Sequence, residues 1–285
     1  MSLRGVIRLL AALAVIGVMG ATSWAVWKVR EQVLEPRHAE EQFLRMLEES
    51  EVREVEPGEG AFRKATEMIA LGRVAEGREK LLYVVNFYPD SPSAPAAKRI
   101  LGEMNLDELL STETMEGKLV HKVAPGESFS TIAAKHETTL DCIMHLNALM
   151  DFGRLHPGDE LVVMPLNLRV IIDPPRRTLS LWDRGRFLKE YPLVACDAGI
   201  PAGGARLRIE NKAGVLGERR VAVTSQDYRA SAKVLTLGRS GLAIRELPKD
   251  ATPPGRGIFL RRPEIEELAL VLRVGNEVEI RPTAP

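Results

Sequence analysis

The residues of this chain best suited to nucleophilic or metal chemistry are two cysteines and five histidines. A thiol attacks as its thiolate and needs a proton acceptor beside it, so Cys and His matter as a pair. Cys142 and Cys196 lie far apart and form no CxxC or CxxH spacing, which argues against a zinc site. They could bridge only if their Cβ atoms met at about 4 Å, and the simpler reading is two small buried hydrophobes. His136, His145 and His156 are spaced by nine and eleven residues, which matches no common ligand pattern and reads as surface or turn histidines. No metal and no cofactor is expected. His38 and His121 complete the set, and no histidine follows residue 156. Ser225 and Ser240 lie beyond that point, leaving them only a lysine as a conceivable base.

These groups must be carried by elements that the composition allows. A chain of 285 residues suffices for about two domains with accessories. Hydrophobic content of 45% and charged content of 27% exclude wholesale disorder. Lys+Arg and Asp+Glu both number 39. That balance excludes nucleic acid as a partner, because neutralising phosphates takes concentrated basic charge.

Leu9 to Trp27 carries no charge and is bounded by Arg8 and Lys28. At 1.5 Å per residue it reaches about 28 Å, close to the hydrocarbon thickness of a bilayer. Trp24 and Trp27 stand where an interfacial aromatic belt would place them. A cleaved signal peptide competes, since Arg4 and Arg8 precede the run and Ala21-Thr22-Ser23 supplies small residues. The run continues past that site, so the expectation is an uncleaved transmembrane helix in residues 1–30. It implies a single-pass protein of the inner membrane with its bulk in the periplasm or cell envelope. Basic residues flank both ends almost equally, so orientation is weakly encoded.

Residues 31–115 read as helical. Glu31 to Arg53 is a charged helix with a stripe of Phe43, Leu44, Met46 and Leu47, and Pro57-Gly58-Glu59-Gly60 is expected to break it. Ala61 to Val85 follows as two helices turning at Leu71-Gly72-Arg73, then a third from Ala94 to Leu101. With small residues at Ala65, Gly72, Ala75, Gly77 and Ala97, the stretch resembles a tetratricopeptide-type hairpin. Such repeats need about three copies to bury a core, and one copy and part of another are present. Two readings stand: a platform for a protein partner, or a packed spacer, the latter preferred.

From His121 to Pro165 a strand pattern at Lys122-Val123 is followed by the turn Pro125-Gly126-Glu127-Ser128. A helix through Ile132 and Ala133 and a second ending at Leu146-Asn147 come next. Leu155-His156-Pro157-Gly158 and the strand Glu160 to Val163 close the segment. Phe129, Ile132 and Ala133 share one helical face, and Leu140, Ile143 and Leu146 another. The order and spacing resemble a LysM domain, a small α+β (βααβ) unit here placed at 119–165. That resemblance implies peptidoglycan glycan strands containing N-acetylglucosamine as the partner. It implies a groove with Gly126, Glu127, Ser128 and Phe129 on one side and Asn147, Ala148, Leu149 and Met150 on the other. Gly126 and Asn147 also suit turn geometry by themselves.

Residues 168–285 read as mostly β. Strands are expected at Leu168–Ile172, Thr178–Trp182, Phe187–Ala195, Val221–Thr224, Lys233–Leu237, Leu242–Arg245 and Glu277–Ile280, with a helix from Pro263 to about Leu272. Val170-Ile171-Ile172, Leu179 to Trp182, Tyr191 to Val194, Pro201 to Gly204 and Arg256 through Leu268 together resemble an L,D-transpeptidase catalytic domain. Active members use a Cys nucleophile and a His base. The His position falls at Arg245, and the Ser and Cys positions at Gly255 and Ile258. An alignment slip of a residue or two restores neither, because no cysteine follows Cys196. Arginine stays protonated and cannot act as the base. The expectation is a multidomain envelope protein of a bacterium whose last domain is non-catalytic, the alternative being an enzyme with relocated chemistry.

Overall fold

The computed structural model of the chain describes residues 19–25, 27–28, 56–151, 153, 155–197, 204–238, 241–248 and 256–282. The chain divides into two units, Met1–Pro57 and Gly58–Pro285. In the first, residues 19–25 and 27–28 are helical, and the Lys28 ammonium lies 4.8 Å from the Trp24 ring centroid. This corrects the expected anchor: among the described residues no helix is long and apolar enough to cross a membrane. Residues 9–18 and 26 of the expected span, and the expected helix Glu31–Arg53, lie outside the described residues. The single-pass inner-membrane placement is corrected with the helix on which it depended.

The second unit begins with three helices, α1 (Pro57–Ala70), α2 (Val74–Phe87) and α3 (Ala94–Leu110). Pro57 opens α1, where its missing N–H costs nothing, so the expected break at Pro57–Gly60 is instead a helix start. A Cβ on Gly77 would meet Ile69 Cγ1 at 2.5 Å and the Ala65 carbonyl at 3.0 Å, so α1 and α2 cross there only because the side chain is absent. Ala65, Leu81, Val84 and Ala97 form the core between these helices. Ala75, expected at a crossing, is exposed.

The next elements are β1 (Leu119–Lys122), α4 (Phe129–Lys135), α5 (Leu140–Leu146) and β2 (Glu160–Val163). β1 and β2 pair antiparallel, with His121 opposite Leu161. Their core holds Val123, Ile132, Ala133, Leu140, Ile143, Leu161 and Val163. The other face of α5 sends Cys142 and Leu146 into a second, larger core. One short helix therefore serves two cores.

That larger core belongs to a mixed sheet. Its strands are β3 (Leu168–Asp173), β4 (Thr178–Asp183), β5 (Arg186–Pro192), β6 (Ala195–Asp197), β7 (Ala205–Leu216), β8 (Arg219–Ala222), β9 (Ala232–Leu237), β10 (Leu242–Glu246), β11 (Gly257–Leu260) and β12 (Glu277–Ile280). They run in the order β5-β4-β3-β12-β7-β9-β10-β11-β6, with β8 paired to β7. β3 with β12 and β10 with β11 are parallel. Helix α6 (Arg262–Val271) lies over β9 and β10 and buries Ile265, Leu268 and Val271. The edge strand β5 is covered by α3, whose Asn105 Nδ2 donates to the carbonyls of Phe187 and Leu188, each at 3.1 Å. Covering it removes an open row of ladder groups.

Candidate functional site

The turn between β1 and α4 is held by its own side chains. Gly126 takes φ +83, the left-handed region that favours glycine. The Glu127 carboxylate accepts from the Ala124 N–H at 2.9 Å and from Lys135 Nζ at 3.1 Å. His121 Nε2 lies 2.7 Å from the same carboxylate. The Ala124 N–H first, then His121 and Lys135, hold the Glu127 carboxyl down at about 2. His136 Nε2 stands 3.0 Å from His121 Nδ1. With its Nε2 turned to the carboxylate, His121 presents Nδ1 to His136. Burial, followed by His121 and Lys135, lowers the His136 pKa. Sequence reading treated His136 as a surface histidine; a His before and a Glu after a Pro-Gly turn was the signal for this chain.

Ser128 caps α4. Its hydroxyl accepts from Thr131 N at 3.2 Å while Thr131 Oγ1 accepts from Ser128 N at 2.8 Å. Asn147 spends its amide on the scaffold: Nδ2 donates to the carbonyls of Ile143 and Val162, and Oδ1 accepts from Val162 N, all at 2.8 Å. Phe129 and Leu149, one from each expected wall, pack against the same small core. Ala148 is exposed at φ +50, and Met150 is 81% exposed. Of the expected site residues, then, Glu127, Ser128, Phe129, Asn147 and Leu149 commit their side chains to structure. The backbone at Gly126 and Ala148 and the Met150 thioether face outward.

Ala148, Leu149 and Met150 also line a cavity of about 350 Å³ that extends to Arg229 and Leu270 of the sheet region. Arg229 Nη2 donates to the Leu149 carbonyl at 3.0 Å. Nearby, Lys212 Nζ is 2.7 Å from Asp141 of α5, and Thr139 Oγ1 donates to the Leu270 carbonyl at 2.5 Å. Burial lowers the Lys212 pKa against the pull of Asp141.

Strand register decides which residues share a face in the sheet region, since neighbours directly across a ladder point the same way. Arg245 of β10 stands beside Phe259 of β11, and Ile244 beside Ile258. Arg245 and Ile258 therefore point to opposite faces. The residue that joins Arg245 on its face is Gly257, two before Phe259 on the same strand. A Cβ on Gly257 would lie 2.7 Å from Phe259 Cζ, so the ring already occupies that space. The Arg245 guanidinium stacks 5.1 Å from the Phe259 ring centroid. Cys196 of β6 pairs with Ile258 and packs against the core on the other face. Burial, then Asp197, raises its thiol pKa. Cys142 is fully buried, and burial pushes its thiol up to about 11. Both are free thiols.

Residues 121–163 match the LysM domain family. Over 82 residues the chain is 28% identical to a Bacillus licheniformis protein described as an L,D-transpeptidase, YkuD; this covers 27% of the chain and 50% of that protein. The chain thus spans about half the length of the curated relative it matches. Among solved structures, an L,D-transpeptidase (Yku) from Stackebrandtia nassauensis overlaps 42% of the chain and 57% of its own, with a TM-score of 0.31 and 15% identity. L,D-transpeptidase 1 of Mycobacterium tuberculosis overlaps 43% and 66%, with a TM-score of 0.30 and 14% identity. The chain carries a LysM domain at residues 121–163, joined to a mostly-β region similar to L,D-transpeptidases.

Proposed function

We propose that the chain is a peptidoglycan-binding protein of the cell envelope whose L,D-transpeptidase-like region acts as a non-catalytic binding or scaffolding module. The LysM domain supplies the wall contact, through the turn Gly126 to Phe129 and the loop Asn147 to Met150. Backbone groups at Gly126 and Ala148 meet the sugar's acetamido and hydroxyl groups, and Met150 offers an apolar shelf to the acetyl methyl.

The observation that carries the non-catalytic reading is the face shared by Arg245, Gly257 and Phe259. Thiol acyl transfer needs a thiolate within reach of a base, and base assistance alone contributes about 10²–10⁴-fold in rate. On this face an arginine stands at the base position and an aromatic ring fills the space over Gly257. Cys196, the one cysteine of the sheet region, points to the opposite face with its thiol pKa raised.

The test incubates the full chain with tetrapeptide-bearing muropeptides and an amine acceptor, and reads exchange products by mass spectrometry. No product is expected. Product that vanishes on Cys196→Ala would instead establish an enzyme with a relocated nucleophile.

A further inference from the structure

Both ends of α4 are tied to one carboxylate. One oxygen of Glu127 takes Lys135, in the last turn of the helix, and the other takes His121 of β1 and the Ala124 N–H. His136, which ends α4, supports this arrangement from behind. Its Nε2 stands 3.0 Å from His121 Nδ1, and the two rings meet edge to face at 4.8 Å. His121 is buried and His136 half-buried, so little water relaxes the contact. The chain His136–His121–Glu127 therefore runs from the C-terminus of α4 to the turn that forms one wall of the candidate groove.

Two imidazoles in such contact hold one proton between their facing nitrogens. A second proton makes donors of both, so the hydrogen bond is lost and two positive rings are left side by side. His121 shares its charge directly with Glu127, so His136 is the ring that gives way. Burial first, then His121 of β1 and Lys135 of α4, hold His136 below its ordinary 6.5 against the pull of Glu127. From β2 the residue opposite His121 is the apolar Leu161, and Glu137, next in the chain, is turned to Arg273 and Asn167. Glu127 itself, held down at about 2, stays ionised throughout the range in which a histidine titrates.

We propose that His136, acting through His121 and Glu127, positions the Gly126–Phe129 wall and makes glycan binding proton-dependent, a control that rests on the reading of this wall as a glycan site. His136 is a positioning residue, and the sugar meets the turn that it braces. Its protonation drives the ring from His121, releases the imidazole that steadies Glu127, and slackens the turn. Glycan is held near neutrality and released on acidification. Below the His136 value the affinity should fall about tenfold for each pH unit, as one proton competes with one ligand.

The test is calorimetric titration of the full chain with chitotetraose at about pH 7.5 and about pH 4.5, either side of the histidine range. Circular dichroism confirms the fold at each. Binding should be weaker at the lower value by about tenfold or more. His136→Gln keeps an N–H donor toward His121 and removes the titrating ring, so its two affinities should agree within about twofold. His145, exposed on α5 beside the opposite wall, is the control, and His145→Gln should keep the parent's ratio. Equal affinity of the parent at both values, or an unchanged ratio in His136→Gln, would overturn the proton control and leave the glycan site standing. A ratio lost in His145→Gln would assign the effect to the other wall and overturn it as well. No binding at either value would overturn the glycan reading, and the control with it. If His136→Gln fails to fold, nuclear magnetic resonance of the parent chain decides. The Gly126, Glu127 and Ser128 amide shifts should follow the His136 ring through its titration, and amides that stay fixed while the ring titrates would contradict the coupling.

Discussion

Asn147 and Met150 stand on the same wall of the LysM domain and have opposite roles. Asn147 makes two hydrogen bonds to Val162 of β2 and one back to Ile143 of α5, so Asn147→Ala should lower stability by about 1–3 kcal/mol, as buried groups left unpaired do. Met150 is 81% exposed, so Met150→Ala should leave a denaturant midpoint unchanged while weakening retention on sacculi. Equal stability losses for the two variants would contradict this division. The β1–α4 turn gives a pH prediction. The Glu127 carboxyl sits at about 2 in the folded chain against an ordinary 4.5, so the unfolded chain takes up its proton first. That contribution is complete above about pH 4.5 and is lost as pH falls toward 2. His136 is held below its ordinary 6.5; its contribution is complete above that value and is lost as pH falls through the lowered one. Both act in the same direction, so melting temperature should fall continuously on acidification from about pH 6.5. Glu127→Gln should flatten the lower limb and, by removing a charge that raises the His136 pKa, carry the upper limb to lower pH.

At the scale of elements, α5 couples the two cores, and the pair it makes with β7 is the point to probe. Lys212 is 8% exposed and Asp141 21%. Asp141→Ala leaves the buried ammonium with only the Ala269 carbonyl and no counter-charge and should cost about 3–5 kcal/mol, whereas Asp141→Leu with Lys212→Met should recover most of the loss. Urea titration of the full chain measures both. Several elements were legible from pattern alone: Thr178 to Leu181 of β4 and Glu277 to Ile280 of β12 alternate polar and apolar residues, β3, β9 and β10 are short apolar-rich runs, and Pro263 marks the start of α6. The long β7 was only glimpsed. Its sequence from Ala205 to Leu216 is mostly charged or small, because half of it pairs with β12 and half with β9. Lys212 within it is buried against all hydropathy. Order along the chain proposes the candidate groove residues, but not their division into scaffold and surface, which depends on where each side chain's bonds go. Nor could sequence tell that Arg245 and Ile258 face apart, since a one-residue change of register exchanges the faces of a strand.

At the scale of the molecule, the LysM domain is built into the sheet region. Cys142 and Leu146 of α5 and Leu106 of α3 enter the core of the sheet. Arg273 pairs with Glu137 at 3.3 Å, and Leu166 N donates to the Glu137 carbonyl at 2.9 Å. The LysM domain and the sheet should therefore unfold in one cooperative transition, with hydrogen exchange of α5 matching that of β9; two separate transitions would contradict the shared core. Such a body would hold the proposed glycan site in fixed relation to the sheet region, as a wall-holding scaffold requires. The most direct test of that account is co-sedimentation of the full chain with purified sacculi, with chitin oligomers as competitor. The chain should pellet with the sacculi, be released by the oligomers, and lose retention on Met150→Ala. A chain that stays in the supernatant, or pellets equally with and without competitor, would contradict it.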